Sequence, residues 1–382
     1  MNDIVYLDNN ATTKIDPRVL DAMMPYLTDE YANAASKHEF GTTVNEAVKK
    51  ARRRVAELIG AETNEIIFTA GATEAINLAI KGVAESYVNQ GNHIITLQTE
   101  HRAVLDVCKY LETRGFEIDY LPVEKDGLLN LEALKKALRT DTILVAVMFV
   151  NNEIGVIQPI EEIADIVHAN GSLFMSDATQ AVGKLPLEVK DLGIDLMSFS
   201  GHKFYGPKGV GGLFVKNKVE LKPLIHGGGQ ERGIRSGTLN VPGIVGLGKA
   251  CEIAKNDMED DINRIKELRD HLEEKLLKIE DTFVNGNRER RLYNVTNICF
   301  KNNDIDTLMT RLNNIAVSNA SACNASSIEP SHVLKALGLS DKESFASIRF
   351  SLGKYNTREE IDNALNRINT LLTKNTKLIQ TF

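Results

Sequence analysis

The sequence predicts an α/β protein whose central sheet is mainly parallel and covered by helices on both faces, joined to a smaller α+β domain. Three observations carry this. Between residues 65 and 203, short apolar runs alternate with stretches of helical periodicity, the rhythm of repeated β-α units. Five of those runs break into small or polar residues at their C-terminal ends, where parallel sheets gather ligand-binding groups. Beyond a long charged amphipathic stretch from Ile253 to Ile279 the alternation gives way to mixed strands and helices. The large domain is therefore placed at 15–250, and the small one at 1–14 and 251–382.

The elements follow in order. Val5-Tyr-Leu is a brief strand-like run that breaks into Asp-Asn-Asn-Ala-Thr-Thr, an arm leading to a helical stretch from Pro17 to Leu27. Val44, Ala47, Val48, Ala51, Val55 and Leu58 recur at three and four residues, the signature of an amphipathic helix. Glu65 to Thr69 reads as a strand, followed by Ala70-Gly71-Ala72-Thr73-Glu74 and a helix through Ala75, Leu78, Ala79 and Val83. A strand, a small-residue turn and a helix start can cradle an anion, because the first N–H groups of a helix lack partners. The spacing is not that of a P-loop, and ordinary N-capping would also use a Thr-Glu pair.

Strand His93 to Leu97 leads to Glu100-His101, strands Phe116 to Leu121 and Ile143 to Val150 follow, and the latter ends in Asn151-Asn152-Glu153. His101 can stack on a flat ligand or simply cap a helix. After helix Ile160 to Ala169, strand Leu173 to Ser176 delivers Asp177-Ala-Thr-Gln180. A carboxylate at a strand end can keep a ring nitrogen protonated, with Gln180 near enough to reach a neighbouring ring oxygen. The run Asp195 to Phe199 ends in Ser200-Gly-His202-Lys203-Phe-Tyr-Gly-Pro-Lys-Gly. Lys203 suits a Schiff base with a carbonyl cofactor, although a lysine in a Gly/Pro-rich turn is equally at home in solvent. The convergence of Thr73, His101, Asn152, Asp177 and Lys203 outweighs any one of them.

Strand Gly211 to Lys216 precedes the glycine-rich segment from His226 to Thr238, which carries two arginines. In the last third, strands are expected at Val295 to Phe300 and Ile315 to Val317, with helices at Ile305 to Asn313, Ser331 to Leu337 and Glu359 to Leu372 and a fraying tail from Lys374. Cys323 lies in a Ser/Ala/Asn loop, a setting for a thiol that meets a substrate, whereas Cys299 lies in an apolar run. Arg349 sits inside a short apolar strand and needs an anion, either a structural carboxylate or that of a substrate.

Composition narrows the function classes. The 382 residues are 43% hydrophobic and 25% charged with a formal net charge of -7, which argues against a dedicated nucleic-acid or anionic-membrane binder. The four cysteines, Cys108, Cys251, Cys299 and Cys323, form no CxxC pair, so free thiols in a reducing compartment are expected. The opening residues carry no secretion-signal pattern and the longest apolar run is too short for a membrane span, which points to the cytoplasm.

Taken together, Leu7-Asp-Asn-Asn-Ala-Thr-Thr, Phe68-Thr-Ala-Gly-Ala-Thr-Glu, Thr99-Glu-His, Val150-Asn-Asn-Glu-Ile-Gly, Asp177-Ala-Thr-Gln, Ser200-Gly-His-Lys, Arg235-Ser-Gly-Thr, Ser321-Ala-Cys and Arg349-Phe-Ser-Leu-Gly resemble the NifS/IscS-type cysteine desulfurases. These are class V members of the fold type I pyridoxal-phosphate enzymes, and the resemblance runs over nearly the whole chain. It implies that Lys203 holds pyridoxal 5'-phosphate and moves protons, His101 stacks on the ring, Asp177 pairs with the pyridine nitrogen and Gln180 contacts the phenolic oxygen. It further implies phosphate contacts from Thr73, Ser200, His202 and the backbone of Ala72, with Thr238 reaching the site of a second subunit in a homodimer. Asn152 and Arg349 are expected to bind the carboxylate of L-cysteine, and Cys323 to carry the sulfur as a persulfide to an acceptor protein. That acceptor could serve iron–sulfur cluster assembly, tRNA thiolation or DNA phosphorothioation. A selenocysteine lyase or a transaminase-like enzyme is the rival within the same fold, and a non-catalytic scaffold has no use for Lys203, Asp177, His101 and Cys323 together.

Overall fold

A computed structural model describes residues 4–303, 305–319 and 329–379. Its large sheet has seven strands: β1 (Ile66–Thr69), β2 (His93–Leu97), β3 (Glu117–Leu121), β4 (Thr142–Ala146), β5 (Leu173–Asp177), β6 (Leu196–Ser200) and β7 (Gly211–Val215). They lie in the order β1-β7-β6-β5-β4-β2-β3. Only β7 runs against its neighbours, so the other six point their C-terminal ends at one edge. Being covered on both faces, the inner strands are apolar nearly throughout, while the edge strand β3 alternates exposed and half-buried positions.

Alternate residues of a strand face opposite sides, and the two sides have separate cores. Ile66, Phe68, Ile95 and Leu97 pack with helix Glu39–Ile59, helix Ile160–Ala169 and the first part of helix Val241–Leu276. Ile67 and Ile94 face helices Ala72–Tyr87 and Arg102–Glu112. The second region is a four-stranded antiparallel sheet in the order Ser318–Asn319, Ser347–Ser351, Val295–Phe300, Thr282–Val284. Its core also takes in Val5, Leu7 and the far half of helix Val241–Leu276, from Ile265 to Leu276.

The N-terminal arm ties the regions together. Val5–Tyr6 pairs in parallel with Ile315–Ala316, Asp8 bridges to Ser351, and the chain then crosses to the large sheet at Asn10. Three boundaries differ from expectation. The long helix starts at Val241, twelve residues before Ile253, because Asn240 caps Gly243 and its first turns are apolar all round. A division at residue 250 therefore falls inside a continuous helix. Strand β4 stops at Ala146, although the N–H groups of Val147 and Phe149 still donate to the carbonyls of Met175 and Asp177 in the neighbouring strand. The last helix, Arg358–Ile379, continues past Lys374.

Candidate active site

At the C-terminal edge of the sheet lies a cavity of about 840 Å³ whose walls include Thr73, His101, Asn152, Asp177, Gln180, Ser200, His202, Lys203 and Arg349. Ala72 lines it too. Thr238 does not: it is exposed on the glycine-rich segment, outside its own chain's cavity. Cys323 lies outside the described residues.

Lys203 sits in the turn after β6. Its Nζ donates to the carbonyls of Asn10 at 2.9 Å and Ala11 at 2.7 Å, so the N-terminal arm holds the amine over the cavity. Asp177 ends β5. Its Oδ1 accepts from the N–H of Thr179 at 3.0 Å, Thr179 Oγ1 at 2.5 Å and Ser198 Oγ at 3.2 Å, while among the described residues Oδ2 takes no hydrogen bond. One oxygen fixes the carboxylate and leaves the other for a donor in the cavity.

His101 caps helix Arg102–Glu112 by accepting from the Ala103 N–H at Nδ1, 3.1 Å, so its proton sits on Nε2. Its pKa is pushed down by withdrawal from bulk water, and the positive charge of Lys203 acts the same way against the opposing pull of Asp177. The Nδ1 contact and this downward shift both favour the neutral ring. His202 is bonded through Nδ1 to Thr12 Oγ1 at 3.0 Å, and burial, then Lys203 and Lys208, lower its pKa to about 4.

The anion end of the cavity is the start of helix Ala72–Tyr87, where Gly71 occupies the cap position without a side-chain cap and Ser200 approaches from the next strand but one. A Cβ at Gly211 would lie 2.4 Å from the Phe199 carbonyl and 2.8 Å from Gly71 Cα, so glycine there lets this loop settle on the sheet. At the opposite end, Arg349 donates to Asn152 O at 3.0 Å, Asp8 Oδ1 at 2.6 Å and Ser318 Oγ at 3.1 Å. The anion that this buried guanidinium finds in its own chain is Asp8.

Sequence reasoning missed four neighbours. Asn10 is 1% exposed and accepts from Gln180 Nε2 and Lys203 Nζ at its carbonyl while donating to Asn152 O. Asp8 holds Arg349, and Lys184 lies beneath Gln180. Glu100 is buried with Oε1 on the Met148 N–H at 2.7 Å and, among the described residues, no partner for Oε2, and burial raises its pKa well above the carboxylate range. Asp8 and Asn10 stood in the polar arm of the sequence and Glu100 beside His101. Nothing in the pattern marked Lys184.

The sequence pattern of the aminotransferase class-V family matches residues 5–364. The chain belongs to that family. It is 53% identical over 375 residues to the cysteine desulfurase IscS of Pasteurella multocida, covering 97% of this chain and 93% of the relative. Among solved structures it is similar to a NifS-like protein with a TM-score of 0.92 and 42% identity, covering 97% of this chain and 99% of the other. It is also similar to SspA in complex with cysteine, with a TM-score of 0.82 and 39% identity over 92% and 99% of the two chains. Class-V members of this kind are pyridoxal-phosphate enzymes. The cavity fits the cofactor on its own terms, with an unpartnered carboxylate oxygen, an uncapped helix start and an amine in one wall.

Proposed function

We propose that the cavity carries out cysteine desulfuration: L-cysteine is converted to L-alanine, and its sulfur leaves as a persulfide on Cys323. The observation that carries this reading is the placement of Lys203, Asp177 and Arg349 around one cavity, with Ser318 bonded to Arg349. Cys323 follows Ser318 by five positions in the sequence, a reach of at most roughly 17 Å.

When bound, pyridoxal phosphate supplies a carbonyl for amines and a ring that withdraws electrons from the substrate's α-carbon. Lys203 anchors it and, once freed, takes and returns the proton at that carbon. Asp177, through Oδ2, holds a proton on the ring nitrogen. The His101 ring would stack on the cofactor, with its Nε2–H available as a donor. Thr73, Ser200, His202 and the Ala72 N–H hold the phosphate, with Thr238 of a second copy completing that end in a homodimer. Arg349 and Asn152 hold the substrate carboxylate, which takes over from Asp8. The Cys323 thiolate then attacks the substrate sulfur: an S–S bond forms, the C–S bond breaks, its electron pair goes to the β-carbon, and a proton added there gives alanine.

The region built on the seven-stranded sheet and the region built on the four-stranded sheet are proposed to act as separate domains, the smaller one presenting the Cys323 segment to an acceptor protein. Iron–sulfur cluster assembly, tRNA thiolation and DNA phosphorothioation are the destinations this chemistry serves, in the cytoplasm. Among the described residues no helix is long and apolar enough to cross a membrane. Anaerobic incubation with L-cysteine and a thiol reductant tests the reading: equimolar sulfide and alanine support it, whereas cofactor-loaded protein that releases neither overturns it.

A further inference from the structure

Beneath the cavity floor, Lys184 is 4% exposed, and among the described residues no carboxylate lies within ion-pair distance of it. Its Nζ donates to Gln180 Oε1 at 2.6 Å and, at 3.4 Å, to Asn10 Oδ1. Burying a lysine without an acid is costly and needs a reason. Gln180 supplies one. A carboxamide can sit either way round, and with Lys184 against Oε1 the flipped form would set two donors face to face. The amide is thereby fixed with Nε2 toward the cavity, where it donates at 2.9 Å to Asn10 O, the carbonyl that also receives Lys203 Nζ. The Gln180 donor and the Lys203 amine therefore meet at one point.

We propose that Lys184 is a positioning residue for the reaction: it locks the Gln180 carboxamide with its NH₂ edge toward the cofactor and so sets the proton affinity of the cofactor's link to Lys203. This rests on the cofactor reading given above. A donor aimed at the phenolic oxygen favours its anionic form and makes the link easier to deprotonate. Losing that orientation makes deprotonation harder. Burial, with Lys203 and Arg349 nearby, pushes the Lys184 pKa down; a neutral amine can also accept, and the Asn10 carbonyl, which takes Nε2–H at 2.9 Å and would face Oε1 in the flipped form, then favours the same orientation.

The experiment is the pH titration of the visible absorbance of the holoenzyme without substrate. Lys184→Met is expected to raise the midpoint by about one to two pH units, the worth of one hydrogen bond to the charged form. Lys184→Gln, which keeps a donor, is expected to restore most of the shift. Gln180→Met should raise the midpoint similarly, and Gln180→Met/Lys184→Met should match Gln180→Met alone, because Lys184 acts through Gln180. Asp177, His101 and His202 are present in every variant and cancel in that comparison. The double variant removes both polar partners together and so remains informative if Lys184→Met does not fold. An unchanged midpoint in folded Lys184→Met holoenzyme, or a double variant that differs from Gln180→Met, overturns the proposal. The titration uses no cysteine, so its failure is distinct from a failure to release sulfide.

Discussion

Arg349→Lys replaces a planar fork of donors by a single ammonium at the point where the substrate carboxylate is expected to bind. The guanidinium makes hydrogen bonds to Asn152 O, Asp8 Oδ1 and Ser318 Oγ, and the residue is 8% exposed. A lysine cannot satisfy the backbone carbonyl and a carboxylate in one plane. Losing one charge-assisted hydrogen bond to substrate costs about 2 kcal/mol, and about 1.4 kcal/mol is a factor of ten, so KM for L-cysteine rises roughly 30-fold. The carboxylate stays the same through the reaction, so this binding is uniform and kcat should stay within a few-fold. Alanine formation across a range of L-cysteine concentrations separates the two parameters. An unchanged KM, or a fall in kcat alone, would refute the assignment of Arg349 to the substrate carboxylate.

Other perturbations follow from the same geometry. Asp177→Asn keeps the bonds from Thr179 and Ser198 but removes the charge that protonates the ring nitrogen, so alanine formation should fall by about 100-fold or more while cofactor absorbance persists. Gly211→Ala forces a methyl against the Phe199 carbonyl and Gly71, which should cost about 1–3 kcal/mol in urea unfolding and weaken cofactor binding in a fluorescence titration. Burial raises the folded-state pKa of Glu100 above the unfolded one. Between those two values the folded state holds the extra proton, and stability falls by about 1.4 kcal/mol per pH unit as pH rises. Glu100→Gln should abolish that decline above about pH 4.3, as read by unfolding curves at several pH values.

The residues legible in the sequence are those whose chemistry lives in a side chain at a strand end. Thr73, His101, Asn152, Asp177 and Lys203 could be placed at one edge because apolar runs with polar stops fix both strand direction and strand end. What stayed hidden acts through the backbone or through a partner distant in sequence. Lys203 is held by the carbonyls of Asn10 and Ala11, and a carbonyl has no signature in a sequence. Lys184 is intelligible only with Gln180 and Asn10 around it. The first turns of helix Val241–Leu276, rich in Val, Gly and Leu, are largely buried and show no amphipathic period, so the pattern places its start too late. The capping Asn240 followed by Pro242 was the available signal. Arg349 was read as needing an anion, and Asp8 is the carboxylate that the structure supplies.

The most direct test of the account is a single turnover without reductant, followed by mass analysis of the peptide containing Cys323. The account predicts one added sulfur atom on Cys323 for each alanine formed, and neither the adduct nor alanine from Cys323→Ala. Alanine formed at the wild-type rate by Cys323→Ala, or sulfur found on Cys108, Cys251 or Cys299 instead, would contradict it.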